Sequence, residues 1–175
     1  MLEFINTPSC NQYYLVNRIN DCEKNLTSFN YATPMAICIE AMLKNILYEY
    51  DKTLSEEEIE DRKLSDLLRD QYLRNLLEKN FNISSRLLDN IDHGIRVVNN
   101  QYKHSLKYLV KPSLRQKKDY FYQFFIFASK YYEHFSEKKA PDWDDSLFDS
   151  LIETEISILK NKQERLLKAG IQNEH

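Results

Sequence analysis

The spacing of apolar residues constrains this chain more than any other feature of its sequence. Apolar side chains recur at intervals of three and four almost throughout, which places them along one face of a helix. Alternating apolar and polar runs are missing, as are the dipeptides of tight hairpins. The sequence therefore predicts an all-α fold, a bundle of about five or six helices. The predicted helices cover 11–29, 34–50, 64–79, a segment capped by Ser84 or Ser85 that reaches Tyr102, a segment from Ser113 to about 136, and about 146–169.

Boundary residues and composition shifts divide the chain. Thr33-Pro34 is typical of an N-cap followed by proline in the first turn, and Lys111-Pro112-Ser113 interrupts the helical pattern. The helix over 34–50 is apolar on most sides, which predicts a central position. We expect 51–61 to be a solvated loop or helix start and 137–145 to be a loop. The predicted domains are a helical domain over 1–145 and a C-terminal helix over 146–175 that acts as a connector or assembly arm.

Composition excludes several classes of protein. The two glycines, Gly94 and Gly170, lie 76 positions apart, so a glycine-rich phosphate loop is absent. The three cysteines, Cys10, Cys22 and Cys38, lack the spacing of a zinc site, and their odd number argues against a disulfide framework. We therefore expect no metal and no cofactor. No apolar run approaches the roughly 20 residues needed to cross a bilayer. The expectation is a cytoplasmic protein without a membrane partner.

A strip of cations stands out in a chain whose net charge is −3. The segment from His93 to Lys118 contains no Asp or Glu. Its cations could hold the phosphates of RNA or DNA, or they could form a solvated face opposite the acidic segment 51–61. The two interpretations carry about equal weight, and surface ion pairs add too little stability to decide between them. The strip consists of Arg96, Lys103, Lys107, Lys111, Arg115, Lys117 and Lys118.

Three polar residues inside the strip could carry chemistry. Arg96, Asn100 and His104 are spaced four apart, so a continuous helix would place them on one face. His104 could exchange a proton with the 2′-hydroxyl of RNA, and Arg96 could stabilise the charged phosphorane. One such trio has only one histidine for proton transfer, whereas two copies across a dimer axis would supply both the acid and the base of a nuclease. The residues alone favour a structural interpretation, in which Asn99-Asn100 ends a helix and the trio forms a corner.

A family resemblance rests on the order of three segments. The stretch IDHGIRVVNNQYKHS (91–105) resembles the I-R-x-x-G-N-x-A-x-H segment of the HEPN-like superfamily, in the branch found at or near the N-termini of type I restriction motor subunits and other bacterial defence proteins. MAICIEAMLKNILYEY (35–50) is similar to that branch's second helix, with Glu40 as its acidic residue. KDYFYQFFIFASKYYEHF (118–135) is similar to its aromatic closing helix. The resemblance implies that Arg96, Asn100 and His104 are signature positions.

The resemblance also implies a role for those positions. Seven residues separate Arg96 from His104, more than catalytic members of the superfamily place there, and Val97 replaces a polar residue after the arginine. This pattern fits the branch whose domain is a non-catalytic binding or docking module. In that setting a Glu40–Arg96 pair would be a buried structural support.

Nine aromatic residues between Tyr120 and Phe135 cover more than one helix face. We expect about half of them in the core and the others in a helix-to-helix homodimer interface. The first functional hypothesis is a dimeric HEPN-like interaction module that serves a nucleic-acid-handling or anti-phage defence or restriction complex and contacts RNA or DNA. The alternatives are a metal-independent ribonuclease that uses Arg96 and His104 across the dimer, and a substrate- or nucleotide-binding partner of a nucleotidyltransferase.

Overall fold

The computed structural model describes residues 32–104, 114–140 and 142, together with the isolated positions 153, 157, 160, 161 and 163–165. Over these residues the chain contains seven α-helices, one π-helical turn and no strand. The predicted all-α class is therefore confirmed. The helix predicted over 11–29 and the break predicted at 111–113 lie outside the described residues.

Helix α1 (Ala32–Tyr50) lies at the centre of the described fold. It contacts four other helices, Glu56–Glu60, Leu64–Arg69, Val97–His104 and Leu114–Ser136, and the π-helical turn Asp92–Arg96. The predicted central position is confirmed, because α1 buries most of its side chains, although Ile37 is exposed. The helix already includes Ala32 and Thr33, so it begins earlier than predicted. Its buried residues are Ala32, Met35, Ala36, Cys38, Ile39, Met42, Leu43, Asn45, Ile46 and Leu47.

Three short helices follow α1. Helix α2 (Glu56–Glu60) is capped by Ser55, and its one buried residue is Ile59. The single helix predicted over 64–79 is wrong, because the chain forms α3 (Leu64–Arg69) and α4 (Gln71–Phe81). Asp70 separates them with extended backbone angles, and its carboxylate accepts a hydrogen bond from the Leu73 amide at 3.0 Å. An aspartate in this position ends one helix and caps the next.

A continuous helical segment then runs to His104. It consists of α5 (Ser85–Ile91), a π-helical turn (Asp92–Arg96) and α6 (Val97–His104). Ser84 is the N-cap, since its side chain accepts a hydrogen bond from the Leu87 amide, and this confirms one of the two caps predicted. The interpretation that Asn99-Asn100 ends a helix is wrong, because α6 continues through both residues.

Helix α7 (Leu114–Ser136) contacts α1, α4 and α5, and its end agrees with the predicted boundary near 136. The expectation that about half of its aromatic rings lie in the core is confirmed. One buried ring is tied to the central helix: the Tyr131 hydroxyl donates to Asn45 Oδ1 at 2.5 Å. The buried rings of α7 are Phe121, Phe124, Phe127, Tyr131 and Tyr132.

The chain divides into two compact units, Met1–Trp143 and Asp144–His175. All seven α-helices named above belong to the first unit. In the second unit, the positions described between 153 and 165 are helical and exposed. No helix in the described part of the chain has both the length and the apolar character needed to span a bilayer.

Candidate functional site at the π-helical turn

The π-helical turn Asp92–Arg96 carries a polar cluster centred on Asp92. A π turn inserts an extra residue into a helix, and such turns recur at functional sites. Asp92 is buried, with only 4% of its surface exposed. Its carboxylate accepts a hydrogen bond from Arg96 Nε and another from Arg69 Nε, the latter at 3.2 Å. Two guanidinium groups from two helical segments therefore compensate one buried negative charge.

The electrostatics of Asp92 follow from these two arginines. Burial disfavours the charged carboxylate and raises its pKa. The hydrogen bonds and charges of Arg96 and Arg69 act in the opposite direction and together prevail, so the pKa of Asp92 lies below its usual value. Asp92 is accordingly a fixed anion rather than a proton donor near neutral pH.

The two arginines differ in their access to solvent. The Arg96 side chain is 17% exposed, whereas the Arg69 side chain is 63% exposed. A second pair lies nearby, in which Arg74 donates to Asp89 Oδ1 at 2.7 Å. Arg96 is therefore held in place mainly within the protein, while Arg69 remains reachable by a phosphate from solvent.

Gly94 sets the distance between the π-helical turn and α7. A Cβ atom at this buried glycine would lie 2.6 Å from Tyr120 Cε1 and 2.9 Å from Tyr120 Cδ1. These distances are too short, because two carbon atoms in van der Waals contact lie roughly 3.5–4.0 Å apart. The absence of a side chain therefore permits the close approach of the Tyr120 ring.

The structure places the predicted trio, Arg96, Asn100 and His104, on one uninterrupted helical segment. Arg96 is engaged by Asp92, and Asn100 is exposed. The backbone of His104 is helical, and its side chain lies outside the described residues, so its predicted role stays a prediction. The tertiary contact falls instead on the neighbouring Asn99, which is buried and accepts a hydrogen bond from the Thr33 hydroxyl at 2.8 Å.

The expected Glu40–Arg96 pair does not form between these two described residues. Glu40 lies 3.2 Å from Lys44 Nζ, one turn along α1. Arg96 is paired instead with Asp92, one turn before it in its own segment. A carboxylate four residues away on the same helical segment reaches the guanidinium without spanning a helix interface.

The predicted cationic strip lies only partly in the described structure. Side chains are described for Arg96, Lys117 and Lys118, and the last two are partly buried on the first turns of α7. The side chains of Lys103 and Arg115, and the whole of Lys107 and Lys111, lie outside the described residues. Their proposed phosphate contacts therefore stay predictions.

Sequence reasoning missed Asp92, Arg69 and Gly94 as members of this site. The signal for Asp92 was present, since it precedes Arg96 by four residues on a predicted helix. Arg69 carried no local signal, because it reaches Asp92 from 23 residues away. Within the described residues, no group of three or more His, Cys, Asp or Glu side chains could hold a metal ion.

Comparison with known proteins returns no match, whether with family profiles, curated sequences or solved structures.

Proposed function

We propose that this chain is a non-catalytic, HEPN-like helical module that forms a homodimer and contacts the backbone of RNA or DNA within a nucleic-acid-handling or defence system. The observation that carries the proposal is the engagement of Arg96 by the buried carboxylate of Asp92. It supports the binding module over the ribonuclease.

The argument against catalysis is electrostatic. An arginine that stabilises a phosphorane must direct its donors towards charge that develops only in the transition state. Arg96 already neutralises a buried anion, and diverting it would leave Asp92 dependent on the largely exposed Arg69. Breaking such a buried pair costs about 3–5 kcal/mol, which works against catalysis by this residue.

The argument for backbone contact is the distribution of charge. The chain is net acidic, yet 26 consecutive residues from His93 to Lys118 contain seven Lys and Arg residues and no acid. Charges of one sign on a short segment repel one another, and a polyanionic partner would offset that repulsion. The exposed Arg69 beside the π-helical turn adds a cation close to the start of this strip.

Salt-dependent binding tests the proposed contact. The full chain is titrated into fluorescently labelled single-stranded RNA and double-stranded DNA at several salt concentrations, and binding is followed by anisotropy. We expect the logarithm of the association constant to fall linearly with the logarithm of salt concentration. A triple variant with Lys103, Lys107 and Lys111 changed to Glu should lose most of the binding. A matched variant with Lys52, Lys79 and Lys138 changed to Glu should retain more of it.

Two further measurements separate the proposal from the ribonuclease alternative. Sedimentation should give twice the mass of one chain, and incubation with RNA in the absence of metal should leave the RNA intact. Cleavage that His104→Ala abolishes while the helical circular dichroism is unchanged would overturn the non-catalytic proposal. A salt-independent association, or equal losses in the two triple variants, would contradict the backbone contact.

A further inference from the structure

A groove with a volume of about 410 Å³ lies between α5 and α7, away from the Asp92 cluster. One wall comes from the start of α5 and the other from the middle of α7. Leu87 and Ile126 line the groove with apolar side chains, and Tyr122 lies on the α7 wall with 45% of its surface exposed. Tyrosine is enriched at protein–protein interfaces, so these side chains make the groove a candidate interaction surface.

Two side chains of opposite charge lie on the opposite walls of the groove. Arg86 is on α5 and Asp119 is on α7, and both are exposed. Neither side chain has a hydrogen bond or an ion pair within the part of the chain that the structure describes. Both charges are therefore available to another molecule.

The two walls of the groove run in opposite directions. The rings of Phe81, just before α5, and Phe135, at the end of α7, have centroids 5.7 Å apart. At the other end of the segment, Gly94 lies against Tyr120, near the start of α7. The segment formed by α5 and the π-helical turn is therefore antiparallel to α7.

This antiparallel arrangement places the two charges towards opposite ends of the groove. Asp119 directly precedes Tyr120 and so lies at the Gly94 end, whereas Arg86 lies towards the other end. The helical rise from Arg86 to Gly94 gives a separation along the groove on the order of 10 Å. The two charges of a free amino acid are only a few bonds apart and do not span that distance. The occupant must therefore present a negative and a positive group at two separate points.

We propose that the occupant is a second copy of this chain, paired about a two-fold axis that passes through the groove. A two-fold rotation exchanges both the walls and the ends of the groove, so Arg86 of each copy faces Asp119 of the other. The same rotation places Tyr122 of each copy opposite Leu87 of the other, where the ring can enter the groove. The inference rests on the homodimer of the proposed function and assigns its interface.

Charge reversal tests the pairing. The dimer dissociation constant of the full chain is measured by sedimentation equilibrium, and circular dichroism checks that each variant keeps its helical signal. Arg86→Glu and Asp119→Arg should each raise the dissociation constant at least about tenfold, because each change places like charges opposite each other at two symmetric positions. An unchanged dissociation constant in both variants would overturn the inference.

A mixture of the two single variants gives a stricter test. In the mixed dimer, the negative group introduced at position 86 of one chain faces the positive group introduced at position 119 of the other. The second pair in this dimer keeps its native Arg86 and Asp119. Arg86→Glu and Asp119→Arg should therefore dimerise together at a concentration at which each alone is monomeric. A mixture that stays monomeric would contradict pairing between two copies.

Matched variants outside the groove serve as controls. Lys79→Glu and Glu78→Arg reverse exposed charges on α4 and should leave the dissociation constant unchanged. Tyr122→Ala should weaken the dimer more than Tyr72→Ala, a tyrosine that is 49% exposed and lies outside the groove. Equal effects of the two tyrosine variants would show that the groove is not the interface.

The interface and the proposed function can fail separately. A parent chain that dimerises but does not respond to Arg86→Glu or Asp119→Arg would refute the interface and leave the homodimer standing. A parent chain that stays monomeric at every concentration would refute the homodimer itself and the interface with it. If the mixed variants dimerise as expected while the Lys triple variants bind oligonucleotides equally well, the interface stands and the backbone contact is wrong.

Discussion

The segment formed by α5 and the π-helical turn packs against α7 in opposite ways at its two ends. At the π-helical end, Gly94 brings the Tyr120 ring so close that no side chain fits between the segments. At the Ser84 end, Leu87 and Asn90 stand opposite Tyr122 and Gln123 across an open groove. The segment is therefore in close contact with α7 at the Gly94 end, called the closed end, and separated from it by a groove at the Ser84 end, called the open end.

The two ends also differ in whether their buried polar groups have hydrogen-bond partners. At the closed end the Asp92 carboxylate accepts from both Arg69 and Arg96. At the open end Gln123 Oε1 is buried without a partner. The comparison teaches that the π-helical end contributes stability, because its polar groups are satisfied within the chain, whereas the groove end leaves a buried acceptor unsatisfied at a cost in stability.

The largest expected effect comes from Asp92. Asp92→Asn should destabilise the fold by about 3 kcal/mol, since Arg96 would be left without its compensating charge. Urea unfolding followed by circular dichroism measures the change. Asp142→Asn is the control, because Asp142 belongs to a largely exposed pair with Lys139 and should cost less than about 1 kcal/mol.

A double variant sharpens this prediction. When Asp92→Asn is combined with Arg96→Met, the unpaired charge at position 96 is removed. Part of the stability lost in Asp92→Asn should therefore return. If the two changes are simply additive, Asp92 and Arg96 are not coupled, and the closed end does not depend on their pairing.

The second prediction concerns pH. The pKa of Asp92 is lower in the folded chain than its usual value, so its contribution is fully present above the unfolded pKa of about 3.9. It should be lost as the pH falls through the lower, folded pKa. The stability difference between the parent chain and Asp92→Asn should therefore stay constant from about pH 7 to pH 5 and shrink below about pH 4. A difference that grows on acidification would contradict the pairing.

The third prediction is that the effect of Gly94→Ala on stability changes sign when Tyr120 is removed. In the parent chain, Gly94→Ala should destabilise by about 1 kcal/mol, because overpacking against Tyr120 outweighs the better helix propensity of alanine. In a Tyr120→Ala background the same change should stabilise, by up to about 1 kcal/mol. Unfolding midpoints of the four chains give the comparison, and equal effects in both backgrounds would show that Tyr120 does not close this end.

Much of this fold could be predicted from the sequence because apolar spacing records which helix faces are buried. Leu88, Ile91 and Ile95 keep steps of three and four, and all three are buried. The break at Asp70 was harder to predict, although Leu68 and Leu73 are five residues apart and so out of phase. A π turn adds one residue without disturbing the buried positions Ile91 and Ile95, so periodicity does not reveal it.

The site was predicted less well, for a different physical reason. Periodicity identifies faces, but it does not say which polar residue on a face finds a partner. Asn99 and Asn100 are adjacent and chemically identical, yet Asn99 is buried against Thr33 and Asn100 is exposed. The sequence singles out Arg96 as a candidate, but its partner depends on the rotation of its helix, which brings in Asp92 rather than Glu40.

The smallest effect is expected at the open end, where Ser84 begins the helix that forms one wall of the groove. Ser84→Ala should cost about 0.5 kcal/mol, at the low end for an N-cap, because the Leu87 amide would lose a long, exposed hydrogen bond. Ser85→Ala is the matched control: Ser85 is the first helical residue, and alanine is favourable there, so stability should be unchanged or slightly raised. Urea midpoints of the two variants decide between the caps. A larger loss at Ser85 would move the helix start by one residue and shift the groove wall with it.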